Sequence, residues 1–306
     1  MVAAEGSMSN TVGVVMTTRV VAGLVEEHRL HGELREFPEN LDATNGLIEV
    51  PTESLCDILC DAIATLAATS DAPVKAAGVA MPGYLHQGVM LDSPNLPQLK
   101  GARVCESLRA GLDKRGLSLG LSVFNDADAV AAGIAATRGQ MDRSIRVWTI
   151  GNGIGYGRYP WTEGPWEGGH TVVTLDPREN YCGCGGRGHL EGVMGHRAMR
   201  LRFLDMEPDE VFAAARKGDR RCAEFVDLWH RALAAATASQ IHLEGASRFY
   251  YTGRDIQRLD LPRLKQYLYE MIKMSPLQNY VVEVLPEDPS LAVVGAGVAA
   301  LLESRC

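Results

Sequence analysis

One loop, Trp166 to Glu191 (WEGGHTVVTLDPRENYCGCGGRGHLE), constrains this chain more than any other stretch. It sets Glu167 and His170 three apart, then Cys182, Cys184 and His189, then Glu191. Two thiols one residue apart, a third soft donor five positions on and a histidine upstream supply four ligands for a tetrahedral Zn2+. Gly183, Gly185, Gly186 and Gly188 let the backbone wrap the ion tightly. A site with four protein ligands is closed and therefore structural. Its closure would fix the flanking glutamates, which are too sparse in sequence to position themselves. The alternative is an ordinary glycine-rich turn with free thiols; four donors in one loop favour zinc.

Composition narrows the partners. The chain has 306 residues, enough to bury a full core and to form two lobes. A hydrophobic content of 46% with 22% charged residues is that of a soluble globular enzyme rather than a disordered or membrane chain. A net charge of -8 speaks against a nucleic-acid partner held by phosphate neutralisation. No apolar run approaches a membrane span, and no basic segment leads into an apolar one at the N-terminus. The seven cysteines are odd in number and scattered, which does not read as a disulfide framework, and a reducing cytoplasm fits.

Along the chain, residues 11–25 read as a strand, a tight turn at Thr17-Thr18-Arg19 and a second strand, and His28 to Phe37 as a third. A helix follows from Pro51 to Ala68, where Cys56 and Cys60 are expected as core thiols, and then a buried strand from Val74 to Ala80 ending at the Met81-Pro82-Gly83 loop. Ser93-Pro94-Asn95-Leu96-Pro97 is a rigid loop that offers an amide to a hydroxyl; ordinary turn chemistry is the competing reading. A helical pattern covers Val104 to Leu112. Leu119 to Phe124 forms a strand delivering Asn125-Asp126 to an alanine-rich helix, where Asp126 is an N-cap or a general base. Gly151-Asn152-Gly153-Ile154-Gly155 follows a strand and is either an anion cradle or a hairpin turn. Trp161 and Trp166 either stack on a sugar or pack the loop. Beyond Gly195 the pattern is mainly helical, with strands at Phe249–Tyr251 and Tyr280–Leu285 and a closing helix over Leu291–Leu302.

The motif Cys182-x-Cys184-Gly185-x-x-Gly188-His189-x-Glu191, preceded by Glu167-x-Gly169-His170, resembles the zinc and sugar motif of the ROK (repressor, open reading frame, kinase) family. His189 stands where that family has a third cysteine, so a Cys2His2 site of His170, Cys182, Cys184 and His189 is implied. The resemblance extends to Ser93-Pro94-Asn95-Leu96 and to Asn125-Asp126-Ala127-Asp128-Ala129. It implies an α/β, two-lobed, actin/hexokinase-like (ribonuclease H-like) fold with a structural zinc loop. The N-terminal lobe is expected over 11–118, with the final helix 290–306 packing back on it, and the C-terminal lobe over 119–289. It also implies hexose contacts at Asn95, Asn125, Glu167, His170 and Glu191, with Asp126 as catalytic base. The nucleotide side departs from the family. Thr18-Arg19 match the end of the first phosphate turn, but Val14 stands where that turn begins with Asp and Met16-Thr17 replace two glycines. Asn152 replaces Thr between Gly151 and Gly153, and of a Gly-Gly-Gly turn beside the adenosine only Gly253 is kept.

The function implied by the resemblance is that of a hexose-binding enzyme, first an ATP-dependent, glucokinase-like hexose kinase using Mg2+ and ATP. Two alternatives stand beside it: an ATP-independent, carboxylate-driven glycoside hydrolase on the same pocket, and a non-catalytic sugar-binding pseudokinase. The partners implied are a small-molecule hexose or hexoside and a second copy in a homodimer or larger oligomer. No DNA-binding domain is expected.

Overall fold

The computed structural model describes residues 10–38, 46–161, 166–302 and 306. The chain divides into two compact units, each described by itself. The first comprises residues 1–143, 157–165 and 288–306, the second residues 144–156 and 166–287.

The first unit is built on a five-stranded sheet in the order β3-β2-β1-β4-β7. The β-branched runs form β1 (Asn10–Met16) and β2 (Val20–Glu26), and the polar β3 (Arg29–Phe37) completes an antiparallel meander. On the other side of β1 lie β4 (Val74–Met81) and β7 (Gly120–Asn125), paired in parallel. Strand alternation sorts the side chains of β1 between two layers. Val12, Val14 and Met16 join the core formed with α1 (Thr52–Ala68) and α2 (Val104–Lys114). Val15 joins the opposite core, with residues of α3 (Asp126–Thr137) and α9 (Pro289–Leu302). Those two helices pack closely because they meet at glycines: a Cβ on Gly133 would lie 1.8 Å from the Leu291 carbonyl oxygen.

A small hairpin, β5 (Tyr84–His86) and β6 (Val89–Asp92), extends from the stretch read from sequence as a loop after Met81. Its turn residues Gln87 and Gly88 both have positive φ, the conformation of a tight two-residue hairpin turn. The expected lobe boundary at 118/119 is displaced. β7 pairs with β4 in the same sheet, so β7 and α3 belong to the first unit and the break comes after Arg143. Cys56 and Cys60 are buried free thiols as read, with burial pushing each up to about 11. Cys105 and Cys306 form a disulfide across 201 positions, a pairing that the scattered cysteines did not suggest.

The second unit carries a sheet in the order β11-β10-β8-β9, formed by β8 (Ile145–Ile150), β9 (Ile154–Tyr159, whose residues from Gly157 on belong to the first unit), β10 (Arg248–Thr252) and β11 (Val281–Val284). β10 runs parallel to both β8 and β11. Its helices are α4 (Leu190–Met194), α5 (His196–Arg202), α6 (Pro208–Arg216), α7 (Arg220–Glu244) and α8 (Leu261–Met271). The long α7 starts at the Asp219 cap, whose carboxylate accepts from the Cys222 N–H, and ends at Gly245 with φ +88°. Trp229 of α7 is fully buried, edge-on to Phe212, and its indole donates to the Met194 carbonyl. Among the described residues no helix is long and apolar enough to cross a membrane.

Candidate functional site

The expected metal ligands come together. His170 Nδ1 lies 3.4 Å from Cys182 Sγ and 3.3 Å from His189 Nδ1, and Cys184 Sγ lies 3.4 Å from Cys182 Sγ and 3.2 Å from His189 Nδ1. A zinc tetrahedron with sulfur at about 2.3 Å and nitrogen at about 2.0 Å has edges of roughly 3.3–3.8 Å. The four donors, all within 4.8 Å of one another, therefore fit a closed zinc site in size and chemistry. Burial pushes the Cys182 thiol up to about 12, and burial with the neighbouring His170 lowers His189, so both donors are neutral without an ion. Metal binding would have to release the Cys182 thiol proton.

The backbone is shaped for this cluster. Val172 and His189 form an isolated antiparallel bridge, and a Cβ on Gly186 would strike the His189 ring at 2.1 Å. The loop is anchored from α5 by Arg202, which pairs with the buried Glu179 and lies 4.4 Å from the centre of the Tyr181 ring. A short 3-10 turn, Gly168–His170, holds His170 and Glu167 on the same structure. While Nδ1 of His170 faces the metal donors, its Nε2 is 3.9 Å from the Glu167 carboxylate. Glu191, in the first turn of α4, accepts from the Ile154 N–H at 3.0 Å through Oε2, and its Oε1 is 4.0 Å from Cys182 Sγ. One of its oxygens is thus already committed to the turn between β8 and β9.

In the first unit, β7 delivers Asn125 and Asp126 to the N-terminus of α3. Asn125 is the N-cap: its side-chain oxygen accepts from Ala127 N–H at 2.9 Å and its amide donates to the Gly83 carbonyl at 3.1 Å. Asp126 Oδ1 accepts from the same Ala127 N–H at 2.9 Å, so it shares the capping with its neighbour. Burial pushes the Asp126 carboxyl above the usual carboxylate range, offset in part by the Ala127 N–H. Two contacts that sequence reading missed press on the same helix end. Asp128 accepts from the Arg158 N–H at 2.8 Å, and a Cβ on Gly157 would lie 1.9 Å from the Ala127 oxygen. Asn95 is exposed on a loop whose neighbours Ser93 and Leu96 are buried. Ser93 donates to the Pro82 carbonyl, so the Asn95 and Asn125 loops share the Pro82–Gly83 anchor.

The candidate nucleotide residues are distributed over both units. Thr18 and Arg19 form the exposed β1–β2 turn, closed by the Thr17 N–H to the Arg19 carbonyl, and Arg19 pairs with Glu36. Val14 is fully buried in the apolar core. In the second unit Gly151–Gly153 joins β8 to β9, with Gly151 N–H bonded to the Gly153 carbonyl. Gly253, with φ +110°, lies against Ile150, where a Cβ would come within 2.5 Å of the carbonyl oxygen. Beside it, the Arg254 guanidinium donates to Asn152 Oδ1 at 2.9 Å. Trp161 lines a cavity in the first unit with Phe124, Tyr159 and Leu302; none of the candidate sugar residues lines it, which favours its packing role. Trp166 is about half exposed.

Comparisons with known proteins agree with one another. The model of the ROK family matches residues 39–300. A glucokinase of Pyrobaculum calidifontis is 31% identical over 191 residues, 58% of this chain and 61% of that protein. An N-acetylmannosamine kinase of Haemophilus influenzae is 25% identical over 236 residues, 73% of each chain. The solved structure of a ROK hexokinase from Thermus thermophilus shares the fold, with a TM-score of 0.76 at 22% identity over 96% of this chain and 98% of that one.

Proposed function

The chain belongs to the ROK family, and on that premise we propose that it is an ATP-dependent hexose kinase with Asp126 as general base. The observation that carries the reading is Asp126 itself: a carboxyl at the start of α3, raised by burial, sharing the Ala127 N–H with Asn125 and braced through Asp128 and Gly157. A base works best with a pKa drawn towards the working pH, and burial moves an aspartate in that direction.

In the proposed reaction Asp126 accepts the proton of a hexose hydroxyl as its oxygen forms a bond to the terminal phosphorus of ATP. The bond from that phosphorus to the bridging oxygen breaks, and ADP leaves. Asn95, Asn125, Glu167, His170 and Glu191 are the candidate hexose contacts. The relatives named for glucose and for N-acetylmannosamine support a hexose as acceptor, and both are named as kinases. Neither supports the glycoside hydrolase alternative.

Zinc on His170, Cys182, Cys184 and His189 would supply rigidity and no chemistry, tying Glu167 to the metal through His170. For Mg2+ the match fails at Val14, whose side chain is apolar and enclosed, so no step is assigned through that ion. This departure favours one second reading, a sugar-binding protein that does not transfer phosphate.

The test is calorimetric titration with glucose, N-acetylmannosamine and other hexoses, followed by assay of the same mixtures with Mg-ATP for ADP. Hexose-dependent ADP formation lost in Asp126→Asn supports the kinase. Hexose binding without ADP rejects it in favour of the non-catalytic reading.

A further inference from the structure

Two contacts, one helical turn apart, hold α2 to the stretch beyond α9. Cys105, in the first turn of α2, is bonded to Cys306 with the two Cα atoms 5.1 Å apart, and the Arg109 guanidinium donates to the Cys306 backbone oxygen at 2.8 Å. α2 packs with α1 in one core and α9 with α3 in another, so the bond joins the layers on the two faces of the five-stranded sheet. All of these residues belong to the first unit. Cys105 is only 7% exposed whereas Cys306 is an exposed residue, so a thiol arriving from solution meets Cys306.

On the α2 side the bond lies against the stem of the Asn95 loop. The Cys105 N–H donates to the Gly88 carbonyl at 3.2 Å, and a Cβ on Gly88 would come within 2.9 Å of the Cys105 Cβ, so Cys105 presses on the β5–β6 turn. The Met90 N–H donates to the Ala102 carbonyl at 2.9 Å and the Gly101 N–H to the Met90 carbonyl at 2.7 Å. Those two bonds close residues 91–100 into a loop with Asn95 near its middle. Ser93 and Gln98 pin the body of that loop, through the carbonyls of Pro82, Leu47 and Val50, while its stem adjoins Cys105. On the other side α9 is locked to α3: a Cβ on Gly295 would lie 1.8 Å from the Ala129 oxygen, and α3 begins at Asp126. The disulfide therefore connects the elements that carry Asn95 and Asp126.

We propose that the Cys105–Cys306 pair is a redox-sensitive clamp on the Asn95 loop. Oxidised, it holds the loop stem to the α3–α9 layer and preorganises the hexose contact; opened by a dithiol, it lets the stem loosen and hexose affinity fall. The clamp rests on the bond and the loop, and hexose as the ligand it controls rests on the function proposed above. Opening is thiol–disulfide exchange. A thiolate of the dithiol forms a bond to Cys306 Sγ as the Cys105–Cys306 bond breaks, and Cys105 leaves as a thiolate that takes up a proton. The second thiol of the reductant then displaces Cys306, so both cysteines end as thiols and the dithiol is oxidised to its own disulfide. Holding a loop in its binding geometry raises affinity by removing the cost of ordering it, and releasing the loop restores that cost.

The experiment compares the full chain equilibrated with oxidised glutathione, the same chain after dithiothreitol and its removal, and Cys306→Ser without reductant. Thiol titration in denaturant should count five thiols in the first state and seven in the second. Hydrogen exchange at Met90, Gly101 and Cys105 should quicken by about tenfold or more wherever the bond is absent, with β8 and β10 unchanged. Glucose and N-acetylmannosamine, titrated by calorimetry, should bind about threefold to tenfold more weakly to the reduced chain and to Cys306→Ser. The variant never meets reductant, so its weakened binding is owed to the lost bond and not to the thiols of the candidate metal loop. Failure of the bond to form in oxidised glutathione overturns the inference, as does unchanged exchange at the stem. Equal hexose affinity in the oxidised wild type and Cys306→Ser overturns it too. A stem that loosens on reduction in a chain that binds no hexose in either state leaves the clamp standing and rejects the hexose reading alone.

Discussion

Gly169→Ala tests how the candidate zinc loop is coupled to the candidate sugar contacts. A Cβ there would lie 2.1 Å from the Ile154 carbonyl oxygen. Ordinary van der Waals contact for such a pair starts at 3.4 Å, so the two backbones must separate by more than about 1 Å. Ile154 resists, because its N–H is held by Glu191 and its side chain is buried. The 3-10 turn must therefore yield, carrying His170 and Glu167. Metal–ligand distances tolerate only about 0.2 Å, so His170 leaves the ligand set. A displacement of about 1 Å in a positioning group costs roughly 100-fold in turnover, while overpacking costs about 1–3 kcal/mol of stability. The expected variant is folded, depleted in zinc by elemental analysis after dialysis, and weakened for hexose by calorimetry. Gly218→Ala is the control for a glycine replaced away from the loop. Gly218 sits at φ +93° with nothing within 4 Å of a new Cβ, so its variant should lose stability without losing zinc. If Gly169→Ala retains full zinc and hexose affinity, the coupling through Ile154 is wrong.

Asp126→Asn should lower kcat by about 100-fold or more while leaving the thermal midpoint unchanged or raised, because a buried carboxylate is removed. In the wild type, the acid limb of kcat/KM should fall above the ordinary aspartate value of 3.8; a limb at or below it removes Asp126 as the base. His230, 1% exposed, is held neutral, with Nδ1 donating to the Val226 carbonyl and Nε2 accepting from the Asp260 N–H. Burial lowers its pKa, so the unfolded chain takes up the proton first as pH falls. Its stabilisation is complete above the ordinary value of 6.5 and is lost as pH drops from there through the folded value. Thermal melts of His230→Gln should accordingly show a flatter acid arm. Val14→Asp would put a carboxylate into the apolar layer with Val12, Met16 and Leu59, at a cost of about 2 kcal/mol or more. Urea titration measures that loss, and a variant as stable as the wild type would show that Val14 has access to solvent or a partner.

Which of these features could be read from the sequence depended on whether the physics was local. The four candidate metal donors lie within one loop, so type and spacing sufficed to gather them, and Asn125-Asp126 stood out because a strand-to-helix junction is a local pattern. The β5–β6 hairpin was missed because Gln87 fills a turn position where Asn or Asp would have signalled it. The early lobe boundary failed because β7 joins β4 through pairing over some forty residues, which periodicity does not report. The Cys105–Cys306 bond and the Arg254–Asn152 contact are more distant still, at separations of 201 and 102 positions. The same distinction governs the diverged nucleotide motifs. A missing aspartate at Val14 is visible in the chain, but Val14 belongs to a packed layer and is no vacated ligand position; restoring the lost residue at that point would damage the core.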